Sequence, residues 1–215
     1  MVGAGFIGRS WAMVFSKAGH HVSLYDIDPA ALSEAMKLLE INIADLESNG
    51  LISSKEDLLG RIQPCKTLED AVEGAEWVQE NALENVQIKR KLFSLLDELL
   101  PETTILASST SAISCSDISN GMKGAGRIIV AHPANPPYLL PIVELSGAPE
   151  TKDETIFRAK ELLEAADMEV IKGAKTIFKE AKPACIVEYI PTFNYSGLSG
   201  SDVLEKYIEM GFDLS

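Results

Sequence analysis

Gly3-Ala4-Gly5-Phe6-Ile7-Gly8 stands directly after Val2 and directly before apolar residues that recur at helical spacing. This pattern is typical of the turn between the first strand and the first helix of a nucleotide-binding α/β unit. Each glycine has a separate task there: Gly3 permits the tight turn, Gly5 lets the backbone approach a pyrophosphate, and Gly8 allows the helix to pack closely on the strand. The stretch therefore predicts a dinucleotide-binding loop.

The residues that follow complete the predicted cofactor site. Phe6 and Ile7 open the first helix, whose positive end can hold a pyrophosphate. Asp26 ends the second predicted strand, about twenty residues on, where its carboxylate can accept hydrogen bonds from both ribose hydroxyls. The same carboxylate repels a 2′-phosphate, so NAD is favoured over NADP. FAD uses a similar fingerprint and stays open as an alternative at this point.

Beyond this unit, short β-branched runs alternate with longer helical stretches. That alternation is typical of a Rossmann-type α/β fold with a mainly parallel, doubly wound sheet. The predicted strands are His21–Tyr25, Ile62–Lys66, Trp77–Glu80, Thr104–Ser108, Arg127–Ala131, Ile142–Leu145 and Met168–Ile171, and the longer predicted helices follow Gly5, Asp28, Glu84 and Glu150.

Both ends of this pattern are irregular. Only Met1 and Val2 precede Gly3, so the first strand is predicted to be short. The α/β rhythm fades near Gly173. We therefore expect an NAD-binding domain over residues 1–172 and a short irregular or helical tail over residues 173–215, with one helix at Asp202–Met210.

The composition narrows the class of protein. With 46% hydrophobic residues and no apolar run longer than a strand, the 215-residue chain is predicted to be soluble, with no membrane span and no secretory signal. The net charge of −13 argues against nucleic acid or an anionic membrane as a partner, since phosphate binding needs a basic surface. The three scattered cysteines suggest neither a disulfide framework nor a metal site, so a cytoplasmic location is expected.

The chemistry is expected around one histidine. His132 follows a predicted strand at the edge where open α/β sheets bind ligands, and Glu144 comes twelve residues later. A glutamate beside the imidazole would fix its tautomer and stabilise the protonated ring, as a general acid–base requires. A structural histidine and a surface glutamate fit the spacing equally well. Ser108-Ser109-Thr110-Ser111 ends another strand at this edge, and its hydroxyls could bind a ligand or cap the next helix.

Several motifs, in order, resemble the 3-hydroxyacyl-CoA dehydrogenase family over most of the chain. Within the family, the residues after Gly8 and after Ala131 are most similar to the lambda-crystallin branch, which includes L-gulonate 3-dehydrogenase. The motifs are the glycine loop with Arg9-Ser10-Trp11-Ala12, then Glu80-Asn81-Ala82-Leu83-Glu84-Asn85 with Lys89, then Ala107-Ser108-Ser109-Thr110-Ser111, and the block from His132 to Glu144.

The resemblance implies an NAD-dependent oxidoreductase that oxidises the 3-hydroxyl of a hydroxy acid or of a 3-hydroxyacyl-CoA by hydride transfer to NAD. It implies that His132 removes the hydroxyl proton, Glu144 stabilises the imidazolium and Ser111 hydrogen-bonds the substrate. The implied NAD contacts are Gly3, Gly5, Phe6, Ile7, Gly8 and Asp26, then Glu84 and Lys89 near the nicotinamide-side ribose, and Asn135 by the nicotinamide.

The resemblance ends where the family's second half should begin. Family members continue into a Gly-Phe-(Val/Ile)-x-Asn-Arg segment and a helical domain that covers the active site and usually forms a homodimer, whereas this chain continues from Gly173 to Phe178 as GAKTIF. A truncated or alternatively joined product is therefore expected, one that binds NAD with little turnover. The alternative is a non-catalytic NAD-binding or structural, crystallin-like protein.

The substrate is expected to be a small molecule. The helix that follows Asp28 has only Lys37 and Lys55 as nearby basic residues, which is little positive charge for the phosphates of CoA. This scarcity favours a free hydroxy acid over an acyl-CoA.

Overall fold

The computed structural model describes residues 1–172, which form seven helices and seven strands. A 3-10 turn, Ala125–Arg127, precedes the fifth strand. In chain order the elements are α1 (Phe6–Lys17), β1 (Val22–Leu24), α2 (Pro29–Ser48), α3 (Lys55–Leu59), β2 (Ile62–Pro64), α4 (Leu68–Val72), β3 (Trp77–Glu80), α5 (Val86–Leu99), β4 (Ile105–Ser108), α6 (Cys115–Ser119), β5 (Ile128–Pro133), β6 (Ile142–Gly147), α7 (Asp153–Ala165) and β7 (Glu169–Lys172).

The strands are arranged on both sides of Val2. On one side β1 pairs with β2 in parallel, and on the other side the order is β3-β4-β5-β6-β7. Val2 makes parallel bridges to Tyr25 and to Glu80, so this short segment lies between β1 and β3. After Val2 the chain first forms β1 and β2 on one side of this segment, and from β3 onwards it forms the strands on the other side. Gly3 therefore sits at the switch point where open α/β sheets bind ligands.

Helices cover both faces of the sheet. In β5, Ile129 and Ala131 belong to the apolar cluster that includes residues of α1, α2 and α7, whereas Ile128 and Val130 belong to the cluster that includes residues of α5 and α6. Successive strand residues point to opposite faces, so a continuous apolar run serves both clusters. The predicted Rossmann-type fold with a mainly parallel, doubly wound sheet is confirmed.

One predicted strand boundary, next to His132, is wrong. The sequence pattern ended the fifth strand at Ala131 and placed His132 after it, but β5 extends to Pro133. The strand is longer because it pairs with the antiparallel β6, and this ladder continues through His132 opposite Glu144. Tertiary pairing, which local propensity does not contain, therefore sets the strand end.

Three helices of five residues each, α3, α4 and α6, were not predicted. Their caps share one pattern, in which a serine or threonine hydroxyl accepts a hydrogen bond from the amide of an aspartate three residues later. The caps are Ser54 with Asp57, Thr67 with Asp70, and Ser114 with Asp117, each at 3.1 Å.

Among residues 1–172, no helix combines the length and apolarity that a membrane crossing needs. The predicted tail over residues 173–215 and its helix at Asp202–Met210 lie outside the described residues.

Candidate cofactor and catalytic site

The glycine turn has the close backbone contacts that its sequence predicts. Gly3 adopts φ +93°, a conformation that side chains disfavour, and a Cβ there would lie 2.7 Å from the Asn81 backbone. A Cβ on Gly8 would lie 1.9 Å from the Gly3 carbonyl oxygen. A Cβ on Gly5 would meet no heavy atom of residues 1–172 within 4 Å. Gly3 and Gly8 are thus required by packing, while Gly5 leaves open space in front of the loop.

The N-terminus of α1 opens onto that space. Gly5 is its N-cap, no side chain hydrogen-bonds to the first amides, and no acidic residue lies in the first turn. Phe6, the first helical residue, is 48% exposed. A helix terminus with free amides and a positive partial charge is a site that favours a phosphate group.

Asp26 lies directly beside the glycine turn. Its Oδ2 accepts a hydrogen bond from the Ala4 amide at 2.7 Å, and its Oδ1 accepts one from the Asp28 amide at 2.9 Å. The side chain is only partly buried, so its carboxylate borders the open space as well as the loop. The Asp26 carboxylate, which follows the end of β1, thus lies where the ribose of a nucleotide bound at the glycine turn would be.

Glu84 is held at the same edge by groups from two other elements. Its Oε1 accepts hydrogen bonds from the Thr110 hydroxyl and from the Ala112 amide, the latter at 3.3 Å. Its Oε2 lies 3.3 Å from the Lys89 ammonium. Partial burial alone would raise the pKa of the Glu84 carboxyl, but Thr110 and Lys89 outweigh that effect and lower the pKa below its ordinary value of 4.5. Glu84 therefore stays ionised.

Lys89 lies beneath this edge rather than on it. Only 1% of its side chain is exposed, and its Nζ donates to Glu80 Oε1 at 2.7 Å and to Oε2 at 2.9 Å. Glu80, the last residue of β3, also accepts a hydrogen bond from the Ser108 hydroxyl at 2.5 Å. The two residues that the resemblance assigned to the nicotinamide-side ribose thus come together, with Glu84 exposed to solvent and Lys89 buried.

A second polar junction, centred on Ser109, was not predicted. The Ser109 hydroxyl donates to Asn81 Oδ1 at 2.7 Å and accepts from the Trp11 indole at 3.0 Å and from the Gln79 amide at 2.7 Å. Asn81 in turn packs beneath Gly3 and donates to the Val2 carbonyl at 3.3 Å. This junction joins the glycine turn to α1, β3 and β4. No sequence signal separates such inward hydroxyls from exposed ones, although Trp11, Asn81 and Ser109 all lie within the motifs of the resemblance.

His132 and Glu144 are opposite each other in the β5–β6 ladder. Opposite residues of an antiparallel pair project from the same face. The His132 Nδ1 lies 3.9 Å from Glu144 Oε2, and the two side chains are 32% and 45% exposed. The distance is too long for a direct hydrogen bond but close enough for an ion pair once the ring is protonated. The other ring nitrogen is left to exchange a proton with a ligand.

Ser111 and Asn135 lie just beyond two neighbouring strands. Ser111 comes three residues after β4 ends and Asn135 two residues after β5 ends, and both are exposed. Because β4 and β5 are parallel, both follow their strands at the same edge of the sheet. That edge also carries the glycine turn, Glu84 and His132. In residues 1–172 no cluster of three or more histidine, cysteine or acidic side chains could hold a metal ion.

These features fit a bound dinucleotide. The open space at Gly5, the uncapped terminus of α1 and the carboxylate of Asp26 would hold the adenosine diphosphate half, and Glu84 lies farther along the same edge. Together with the His132–Glu144 pair, they define the nicotinamide-nucleotide-binding half of a dehydrogenase. More narrowly, the chain belongs to the 3-hydroxyacyl-CoA dehydrogenase family, whose NAD-binding domain matches residues 1–177. The cofactor of this domain is NAD.

The relatives agree with this assignment. The chain is 37% identical to rabbit (Oryctolagus cuniculus) lambda-crystallin over 180 residues, covering 82% of this chain and 56% of the relative. It is 42% identical to the lambda-crystallin homolog of Bos taurus over 166 residues, covering 76% and 52%. An L-carnitine dehydrogenase of Streptomyces griseus is 36% identical over 170 residues, covering 79% and 50%. The chain thus spans about half the length of these curated relatives.

Two solved 3-hydroxybutyryl-CoA dehydrogenases have a similar fold. The 3-hydroxybutyryl-CoA dehydrogenase of Escherichia coli K12 matches with a TM-score of 0.76 and 29% identity, covering 80% of this chain and 36% of that one. The (S)-3-hydroxybutyryl-CoA dehydrogenase of Ralstonia eutropha also matches with a TM-score of 0.76, at 28% identity, covering 80% and 61%.

Proposed function

We propose that this chain is the cofactor-binding half of an NAD-dependent oxidoreductase that oxidises the 3-hydroxyl of a small hydroxy acid or of its CoA ester. The observation that carries the proposal is the pairing of His132 with Glu144 at the edge that also bears the glycine turn. An imidazole beside a carboxylate can take a proton from a substrate hydroxyl and keep the resulting charge stabilised. NAD, when bound, supplies the hydride acceptor.

The side chains at this edge have distinct roles in the proposal. His132 removes the hydroxyl proton through the nitrogen that faces away from Glu144, and Glu144 stabilises the imidazolium. Ser111, exposed after β4, donates a hydrogen bond to the substrate oxygen. Asn135, exposed after β5, orients the nicotinamide carboxamide, and Glu84 accepts from the nicotinamide-side ribose.

Exclusion of water is the part of catalysis that these residues do not supply. The His132 side chain is 32% exposed, so solvent screens the charges around it. A covering domain, as the resemblance implies for the family, would orient the substrate and strengthen those electrostatic interactions. We therefore propose that residues 1–172 bind NAD by themselves but turn over slowly without that cover.

A free hydroxy acid is the favoured substrate class. The two ammonium groups near α2 are both engaged, since Lys37 lies 3.3 Å from Glu34 and Lys55 lies 3.3 Å from Glu40. The helix therefore offers little free positive charge for the phosphates of CoA. The similarity to L-carnitine dehydrogenases also supports a free acid, since L-carnitine is itself a 3-hydroxy acid.

A structural role is the second candidate, supported by the lambda-crystallin relatives. The two candidates differ in one measurement, the formation of NADH by purified protein in excess over NAD. The oxidoreductase forms NADH with L-gulonate or L-carnitine, and more slowly with 3-hydroxybutyryl-CoA. A protein with only a structural role binds NAD and forms no NADH with any of the three.

A further inference from the structure

Glu80 is a fully buried carboxylate with an unusually complete set of donors. It ends β3 with 0% exposure, and Lys89 donates to both of its oxygens, at 2.7 and 2.9 Å. The Ala82 amide donates to Oε1 at 2.6 Å, and the Ser108 hydroxyl donates to Oε2 at 2.5 Å. Three donor groups, from β4, α5 and the turn after β3, therefore make four hydrogen bonds to one side chain.

Stability alone does not explain this ion pair. Burying both charges has a large desolvation cost, and well-packed apolar residues of similar volume often stabilise a protein equally well. What the pair supplies is geometry, because each bond fixes the direction of a neighbouring group. The best-supported use of buried polar groups is of this kind.

The group whose position the pair controls is the turn at residues 81–85. The turn begins at Glu80, which holds the Ala82 amide, and it ends at Asn85, whose side chain accepts from the Ile88 amide at 3.0 Å to cap α5. Lys89, one helical turn into α5, reaches back to the Ala82 carbonyl at 3.3 Å and to Glu84 Oε2 at 3.3 Å. The buried pair thus fixes the turn through the Ala82 amide and carbonyl, and it fixes Glu84 through the Lys89 ammonium.

We propose that Glu80 is a positioning residue for the cofactor: acting through Lys89 and the Ala82 amide, it fixes the turn and aims the Glu84 carboxylate at the nicotinamide-side ribose. This inference rests on the proposed function, which gives Glu84 that ribose contact. Lys89 links the two carboxylates, because its ammonium has four oxygen neighbours that include both oxygens of Glu80 and Glu84 Oε2. The ADP half of NAD would be held by the glycine turn and Asp26, and none of the hydrogen bonds of the Glu80 side chain reaches either of them.

The test compares NAD with ADP, which lacks the nicotinamide-side ribose. Glu80→Gln combined with Lys89→Met replaces the ion pair by neutral residues of similar volume. We expect about tenfold weaker NAD binding by calorimetry, with ADP binding within about twofold of wild type, since a charge-assisted contact is lost only on the nicotinamide side. Ser108→Ala, a gentler change that removes one donor to Glu80, should weaken NAD by roughly threefold with ADP unaffected.

A matched control lies at the other end of α5. Asp97 forms a largely buried ion pair with Arg127 at 2.8 Å, so Asp97→Asn destabilises the same helix without touching the turn. It should leave the NAD-to-ADP affinity ratio unchanged. A merely structural role for Glu80 would weaken NAD and ADP in parallel, as general destabilisation does.

An unchanged NAD-to-ADP affinity ratio, in whichever of the double variant and Ser108→Ala folds, overturns the proposal. This holds whether the two affinities stay at their wild-type values or fall together. Glu84→Gln separates this failure from failure of the proposed function. If Glu84→Gln lowers the ratio and the Glu80 variants do not, only the positioning role is wrong. If Glu84→Gln has no effect either, the ribose contact assigned to Glu84 is wrong as well.

Discussion

His132 and Glu144 face each other across the antiparallel β5–β6 pair, with the histidine Nδ1 3.9 Å from the glutamate Oε2. Two backbone strands, and not a flexible loop, fix this separation. The contact becomes an ion pair when the ring is protonated, which is the state that proton removal from a substrate creates. The arrangement suits a histidine that gains and loses a proton in each turnover.

Glu144→Gln tests that stabilisation. The imidazolium would lose a carboxylate 3.9 Å away, and both side chains are exposed enough for solvent to moderate the loss. We expect NADH formation to slow by about tenfold while NAD affinity stays the same. Glu164→Gln, which removes a comparably exposed glutamate on α7, is the control and should not change the rate. Equal rates for the Glu144 variant and wild type would contradict the role of Glu144.

The glycines give a matched pair of substitutions. Gly8→Ala would place a Cβ 1.9 Å from the Gly3 carbonyl oxygen, so the unfolding free energy should fall by at least about 2 kcal/mol. Gly5→Ala meets no neighbour within 4 Å and should leave stability within about 0.5 kcal/mol, while NAD binds several-fold more weakly because the new methyl enters the ligand space. Urea denaturation and NAD titration distinguish the two. A Gly8 variant as stable as wild type would show that the turn is looser than described.

Asp26 is expected to set the preference for NAD over NADP. Asn in its place keeps one acceptor oxygen, enough for either the Ala4 or the Asp28 amide, and no longer repels a 2′-phosphate. The NAD-to-NADP affinity ratio of Asp26→Asn should fall by about tenfold or more, mainly through tighter NADP binding. Asp45→Asn at the far end of α2 changes the net charge equally and should leave the ratio as it is. A preserved ratio in the Asp26 variant would assign selectivity to another residue.

Glu84 should make stability depend on pH in the acid range. Its pKa in the folded protein lies below the ordinary value of 4.5, so its ionised form contributes stability that is fully present above that pH and is lost as the pH falls through the folded-state pKa. Denaturation of Glu84→Gln should therefore show a smaller loss of unfolding free energy on acidification than wild type does. Glu161→Gln, at an exposed position on α7, should follow the wild-type curve. A Glu84 variant that follows it as well would contradict the lowered pKa.

The fold could be predicted because its decisive residues act through the backbone. Gly3 and Gly8 are needed for a positive φ and for a close approach of helix to strand, and such requirements restrict the residue type at once. The apolar run from Ile128 to Ala131 is likewise readable as a strand covered on both faces. The short helices were missed because five residues carry no periodicity, although the caps at Ser54, Thr67 and Ser114 are visible in the sequence.

The polar interior of the site could not be predicted from the residues alone. Lys89 is a residue type that is almost always exposed, and only the fold brings it to the buried carboxylate of Glu80 nine residues away. The hydroxyls of Ser108 and Ser109 occupy adjacent positions but enter different networks, because alternate strand residues point to opposite faces. In the Ser108–Ser111 run the exposed hydroxyl is that of Ser111, which lies beyond the end of β4. The sequence does not show which of the four hydroxyls is accessible to a ligand.

Whether His132 is the base of a hydride-transfer reaction is tested by a single-turnover measurement of NADH absorbance, with protein in excess over NAD and a saturating 3-hydroxy acid. High protein concentration reveals even a slow reaction. We expect NADH to form, and we expect His132→Gln to slow its formation by about a hundredfold or more while NAD still binds, because a general base is lost. NADH formation at the wild-type rate in the His132 variant, or none from wild type with any 3-hydroxy acid or CoA ester, would contradict this expectation.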